Sequence, residues 1–164
     1  MLRHFAVARP DHRVAHRVDA VGVGQALLER DVRQDGRQRG RGTLYVGTKR
    51  PVNAEDLVEI VERSMSSPIY ELLKRPDELF VVEHAHLQPR FVEDSVRVAL
   101  KEALETYTEL ADGDFLWSRQ VNLETIHTHD VLAERYGTVG ELRAELKRGE
   151  RPSRHTELRE WLTR

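Results

Sequence analysis

Two histidines one residue apart, His127 and His129 in Ile126-His127-Thr128-His129-Asp130, have a spacing that could serve chemistry. Side chains at i and i+2 of an extended chain leave the same side. A strand end presenting two imidazoles suits metal binding or proton transfer near neutral pH. Taken alone, the pair also fits an exposed polar strand terminus. A second group is Lys74-Arg75-Pro76-Asp77-Glu78. Proline removes one backbone freedom there, so a following carboxylate can be aimed at a metal; on spacing alone, the run equally fits a charged surface turn. A third is Phe91-Val92-Glu93-Asp94, with Arg97 one turn on. Glu93 and Asp94 fall in the first turn of an expected helix, where the dipole favours negative charge. Glu93 and Arg97 are spaced to pair at i, i+4. Alternatively, the Glu93 carboxylate matches two adjacent N–H donors on the edge of a purine or pterin. In Met65-Ser66-Ser67-Pro68-Ile69-Tyr70, small hydroxyls precede a proline. That pattern marks a helix end, and a phosphate contact there is unspecific.

These residues need elements to hold them. Thr43-Leu44-Tyr45-Val46-Gly47 reads as a strand. Asn53 is the expected N-cap of a helix with Asp56 at its third position, and Leu57, Ile60, Val61 and Ser64 share one face. Pro68 fits a break after it, and Ile69 to Leu73 a short apolar turn or helix. Arg75 to Glu78 reads as a turn, and Leu79 to Glu83 as extended chain. A long helix is expected from about Phe91 to Leu110, then a turn at Ala111-Asp112-Gly113-Asp114. Phe115 to Ile126 and Val131 to Tyr136 form a strand pair, with Val121, Leu123 and Thr125 toward one face. Glu141 to Lys147 makes a last helix, and Leu158, Trp161 and Leu162 a small one. The class is α+β, an antiparallel sheet backed by helices in one domain.

Charge divides the chain. Met1–Gly42 has nine Arg, no Lys and five acidic residues, a net of +4, whereas residues 43–164 carry 17 basic and 23 acidic residues, a net of −6. The first segment is expected to be an Arg-rich leader, disordered or read out of frame, with one possible helix from Val23 to Val32. A nucleic-acid arm is the sharper alternative, but interleaved aromatics are missing, so nucleic acid is not an expected partner. The folded unit is expected at 43–148, followed by a charged tail at 149–164. No run approaches the roughly 20 apolar residues that span a bilayer, and no signal peptide is recognisable, so a cytoplasmic location is expected. The chain has no Cys, so disulfides and thiolate ligands from this chain are excluded.

Read in order, the motifs resemble a known family. The run from Ser66 to Glu78, then Val82-Glu83, then Pro89-Arg90-Phe91-Val92-Glu93-Asp94, then Asn122-x-Glu124-Thr125-Ile126-His127-x-His129 resembles the C-terminal half of type IB GTP cyclohydrolases, the archaeal enzymes most of all. The match covers roughly residues 43–148. It implies the tunnelling fold, and a homo-oligomer with active sites at subunit interfaces. It implies GTP as substrate, with imidazole ring opening, release of formate and a dihydroneopterin phosphate as product. By the same resemblance Glu78 and His127 are metal ligands, Glu93 anchors the guanine, and His129 is a proton shuttle beside His127. The metal would be divalent, Fe(II) first, with Mn or Zn as alternatives. Such an ion makes a bound water a nucleophile at neutral pH, and a histidine is suited to protonate a leaving nitrogen. The family carries further ligands, a cysteine and a histidine, in an N-terminal half that this sequence does not display, so a truncated chain is expected. The alternative is a purine- or pterin-binding or assembly module of the same fold without catalysis.

Overall fold

The computed structural model describes residues 7–8, 24–34, 38–67, 74–123, 128–150 and 152–163. Five strands form one sheet in chain order: β1 (Val7–Ala8), β2 (Gly24–Gln34), β3 (Gln38–Thr48), β4 (Phe115–Leu123) and β5 (Val131–Thr138). β1 pairs with β2 in parallel and every other pair is antiparallel. The helices are α1 (Ala54–Arg63), α2 (Arg75–Leu87), α3 (Val92–Thr106), α4 (Val139–Arg148) and α5 (Leu158–Leu162). This is the expected α+β class.

Helices α1 and α3 pack on each other and on the sheet, and α4 packs on β5. Their stripes bury Leu57, Ile60 and Val61 from α1 and Val96, Leu100 and Leu104 from α3 against Leu44, Val46 and Leu116 of the sheet. The α1 start is as expected: Asn53 Oδ1 accepts the Glu55 N–H at 3.1 Å. The Tyr107 hydroxyl ties α3 to that start, donating to Asn53 O at 3.0 Å and lying 3.3 Å from Asp56 Oδ2. Burial, and then the Asp56 charge, raise its pKa. Gly42 is where β3 passes under α1. A Cβ there would collide with the Met65 methyl and lie 2.7 Å from Val61 Cγ1.

The strand β4 alternates, with Val121 and Leu123 on one face as expected and Thr125 outside the described residues. Leu116, Ser118, Gln120 and Asn122 lie under the helices, while Val121 and Leu123 face the other way and are partly exposed. This polar row is buried because its amides bond to each other, with Gln120 Nε2 donating to Asn122 Oδ1 at 2.8 Å.

Across the sheet a second cluster forms from the chain's end. Phe115 meets Tyr45 edge to face with ring centroids 6.1 Å apart and lies tilted against Trp161 of α5 at 5.5 Å. Trp161 Nε1 donates to Gly113 O at 2.8 Å. The segment before α5 is tied to α4, since the Glu141 carboxylate accepts from Thr156 N and Thr156 Oγ1 at 3.1 and 2.7 Å. His155 is buried with Nε2 3.0 Å from Glu145 Oε2, which also takes Arg135 Nη2 at 2.6 Å. The expected charged tail at 149–164 is therefore a packed strap. Its acids and bases are mostly spent on the surface, while Trp161 and Thr156 turn inward.

Three local expectations are corrected. Of the helix expected from Val23 to Val32, the described part is strand: Gly24–Gln34 is β2, paired along its whole length with β3. The sheet thus takes in residues that the Met1–Gly42 division left outside it, because pairing with β3 satisfies backbone groups whatever the Arg content. Arg75 to Glu78 is not a free turn and Leu79 to Glu83 is not extended: both lie in α2. Pro76 occupies the first helical turn, where its missing N–H costs nothing. Asp77 Oδ2 accepts the Lys74 N–H at 2.9 Å, closing that turn. These start signals outweigh the strand preference of Phe80-Val81-Val82.

Candidate active site

The carboxylate expected to meet a purine edge, Glu93, lies in the first turn of α3. That turn is closed on Phe91: Phe91 N donates to Asp94 Oδ2 at 3.1 Å, and Asp94 N donates to Phe91 O at 3.0 Å. Asp94 also takes Arg97, with Nη1 to Oδ1 at 2.9 Å. The expected Glu93–Arg97 pair is thus replaced by an i, i+3 pair with Asp94. Glu93 is exposed, and among the described residues no hydrogen bond or ion pair engages its carboxylate.

Beside it lies the second motif. Ser66 and Ser67 are 3% and 1% exposed, although both are small hydroxyls before a proline. Arg90 reaches them from the α3 side. Its backbone N donates to Ser66 Oγ at 3.2 Å, and its Nη1 donates to Met65 O at 3.3 Å and to Arg63 O. A cleft of about 550 Å³ runs along this junction, lined by Glu62, Arg63, Met65, Gln88 and Arg90 among others. That is the size class of small-ligand sites.

The other expected residues are spread over separate elements. Glu78 is in the first turn of α2. His129 is exposed in the 128–130 turn between β4 and β5. His127 lies outside the described residues, as do Pro68, Ile69, Tyr70 and Glu124. The structure therefore joins the Ser66–Ser67 and Arg90–Asp94 motifs. It does not join Glu78, Glu93 and His129 through a described contact. No group of three or more His, Asp or Glu among the described residues is placed to hold a metal ion, so the fit of a divalent ion is not met by these residues alone.

Sequence reading missed two features. The buried amide pair Gln120–Asn122 was signalled by polar residues at every second position of β4, ahead of the Asn122-to-His129 motif. Arg90 carried no signal beyond its place between Pro89 and Phe91, because nothing local shows that a guanidinium will meet carbonyls 25 and 27 residues earlier.

Comparison with known proteins adds to this geometry. The sequence model of one family, described as "Type I GTP cyclohydrolase folE2", matches residues 24–133. The match begins at the first residue of β2. A GTP cyclohydrolase MptA from Methanobrevibacter smithii is 47% identical over 112 residues, covering 67% of this chain and 36% of that protein. Its namesake from Methanothermobacter thermautotrophicus is 46% identical over 112 residues, 67% of this chain and 35% of that protein. The one from Methanocaldococcus jannaschii is 46% identical over 107 residues, 65% and 34%. The chain thus spans about a third of the length of the curated relatives it matches.

Proposed function

Because the chain belongs to the type I GTP cyclohydrolase family, we propose that it carries the guanine-recognising half of a GTP cyclohydrolase site, of type IB and of the archaeal branch that serves methanopterin-type pterins. The observation that carries this reading is Glu93: an exposed, unengaged carboxylate on the closed first turn of α3, three residues after Arg90, which lines a cleft of ligand size. A carboxylate takes the two adjacent N–H groups of a guanine edge in a bidentate way, which no neutral side chain matches in strength. That cleft is lined by Glu59, Glu62 and Glu102 together with Arg63 and Arg90, a mixed set of hydrogen-bonding groups.

His129 is exposed in the segment between β4 and β5, and an imidazole is suited to exchange protons with a leaving nitrogen near neutral pH. Glu78 and His127 would hold a divalent ion, Fe(II) first with Mn or Zn as alternatives, together with donors beyond the described residues, and that ion would supply a nucleophile for the imidazole carbon at neutral pH. Two donors hold such an ion weakly compared with three or four. That favours a homo-oligomeric, tunnelling-fold assembly in which sites form between subunits. The second reading is a purine- or pterin-binding or assembly module without turnover. It is favoured by the absence of Cys from the chain and of a three-donor group among the described residues.

Formate release from GTP, measured anaerobically with added ferrous iron, separates the two. Release that disappears in Glu78→Ala and His127→Ala is the expected result for the enzyme. Guanine-nucleotide binding without release, weakened by Glu93→Ala, assigns the binding module. A folded protein that neither binds GTP nor releases formate sinks both readings.

A further inference from the structure

We propose that Arg90 is a positioning residue that locks the Ser66–Ser67 segment and the Glu93 turn into one unit; the ligand-binding part of this inference rests on the reading of Glu93 as a guanine anchor. The α1 helix ends at Arg63, and its last carbonyls have no partner within the helix. Arg90 supplies one: its guanidinium donates to Arg63 O and to Met65 O, at 3.3 Å for the latter. A cation at a helix C-terminus is also favoured by the dipole. One atom group away, the Arg90 backbone N donates to the buried Ser66 Oγ at 3.2 Å. The next residue, Phe91, begins the closed turn that holds Glu93.

Arg90 therefore ties the C-terminus of α1 to the N-terminus of α3 across 24 residues of sequence. The chain that leaves at Ser67 and returns at Pro89 includes α2 and Glu78. Both ends of that excursion meet at Arg90, so loss of its bonds would loosen Glu93 from the base of the Glu78 segment. Both carbonyls are served by one nitrogen, Nη1, so lysine keeps the charge and the donors but lacks the planar group that holds that nitrogen in a fixed place.

The test uses the full chain with Arg90→Met, which keeps length and removes the donors, and Arg90→Lys, which keeps the charge. Two quantities are measured: the dissociation constant for GTP and amide hydrogen exchange. In Arg90→Met, GTP binding is expected to weaken about tenfold, the scale of losing charge-assisted hydrogen bonds. Exchange should speed up together in 64–67 and 92–95, with the rest of α1 and α3 unchanged. Arg90→Lys should fall between. Unchanged exchange in either segment overturns the clamp, whatever happens to binding. So does acceleration spread evenly over the protein, which marks simple destabilisation. Coupled exchange with wild-type GTP affinity overturns the link to the ligand. If the parent protein binds no GTP but the two segments still loosen together, the guanine reading fails and the clamp stands.

Discussion

The Glu141 carboxylate serves two masters at once. It closes the capping box of α4 by accepting Thr138 N–H at 2.8 Å, and it holds the C-terminal strap through the backbone and hydroxyl of Thr156. Partial burial pushes its pKa up, but the hydrogen bonds from Thr156 and Thr138 push harder, so it lies below the usual 4.5. A depressed carboxylate stabilises the fold above its unfolded pKa and loses that contribution as pH falls through its folded pKa. Stability should therefore drop as pH is lowered from 4.5, and Glu141→Gln should flatten that drop. At neutral pH the same change should cost roughly 1–3 kcal/mol by urea unfolding, the value of hydrogen bonds to a charged acceptor. An unaltered acid limb in the variant would show that other carboxylates control it. Glu93 is the opposite case: among the described residues no hydrogen bond or ion pair engages its carboxylate.

Elements meet where glycine makes room for them. A Cβ on Gly47 would lie 2.6 Å from Trp161 Cη2, so β3 and α5 can touch only because that position has no side chain. Gly47→Ala should cost about 1–3 kcal/mol, the range for overpacking. Trp161→Ala should cost about 3–5 kcal/mol, as a large aromatic lost from a packed site. In the double variant the two costs should be clearly less than additive, because alanine at 47 clashes only while the indole is there. Additive costs from thermal or urea unfolding would mean that the two residues act separately. Helix α2 is built on another principle. Its start is fixed by Pro76 and Asp77, and it leaves Leu79, Phe80 and Leu87 60%, 46% and 80% exposed while Ala85 is buried. Nothing in its own residues reveals that a clamp at Arg90 holds the return.

On the scale of the whole molecule, the sheet is covered on both faces, by α1, α3 and α4 on one and by the C-terminal strap on part of the other. The strap closes contacts with β3, β4, the turn at Gly113, and α4. Removing residues 150–164 should lower the unfolding free energy by about 3 kcal/mol, the low end for a large aromatic lost from a packed site, and should increase the exposure of Phe115 to solvent, read by quenching or near-UV circular dichroism. A truncated chain with the parent urea midpoint would return the segment to the status of a loose tail. No helix among the described residues is long and apolar enough to cross a membrane.

Local physics made much of this legible. The α1 cap at Asn53, the α3 stripe, the β4–β5 hairpin and the small terminal helix follow from side-chain spacing and from cap chemistry, which act within a few residues. The ordered motifs also pointed to the family, since four short runs in sequence carry more information than any one alone. Other features depended on partners distant in the chain. Gly24–Gln34 is a strand because β3 lies beside it, and Val121 faces away from the helices because a polar row can be buried once its amides pair. The strap is packed because Gly47 leaves space for Trp161, and Arg90 is a clamp because the end of α1 comes to it. Such decisions rest on contacts made only when remote segments meet, and these are the contacts that the tertiary structure, not the order of residues, brings together.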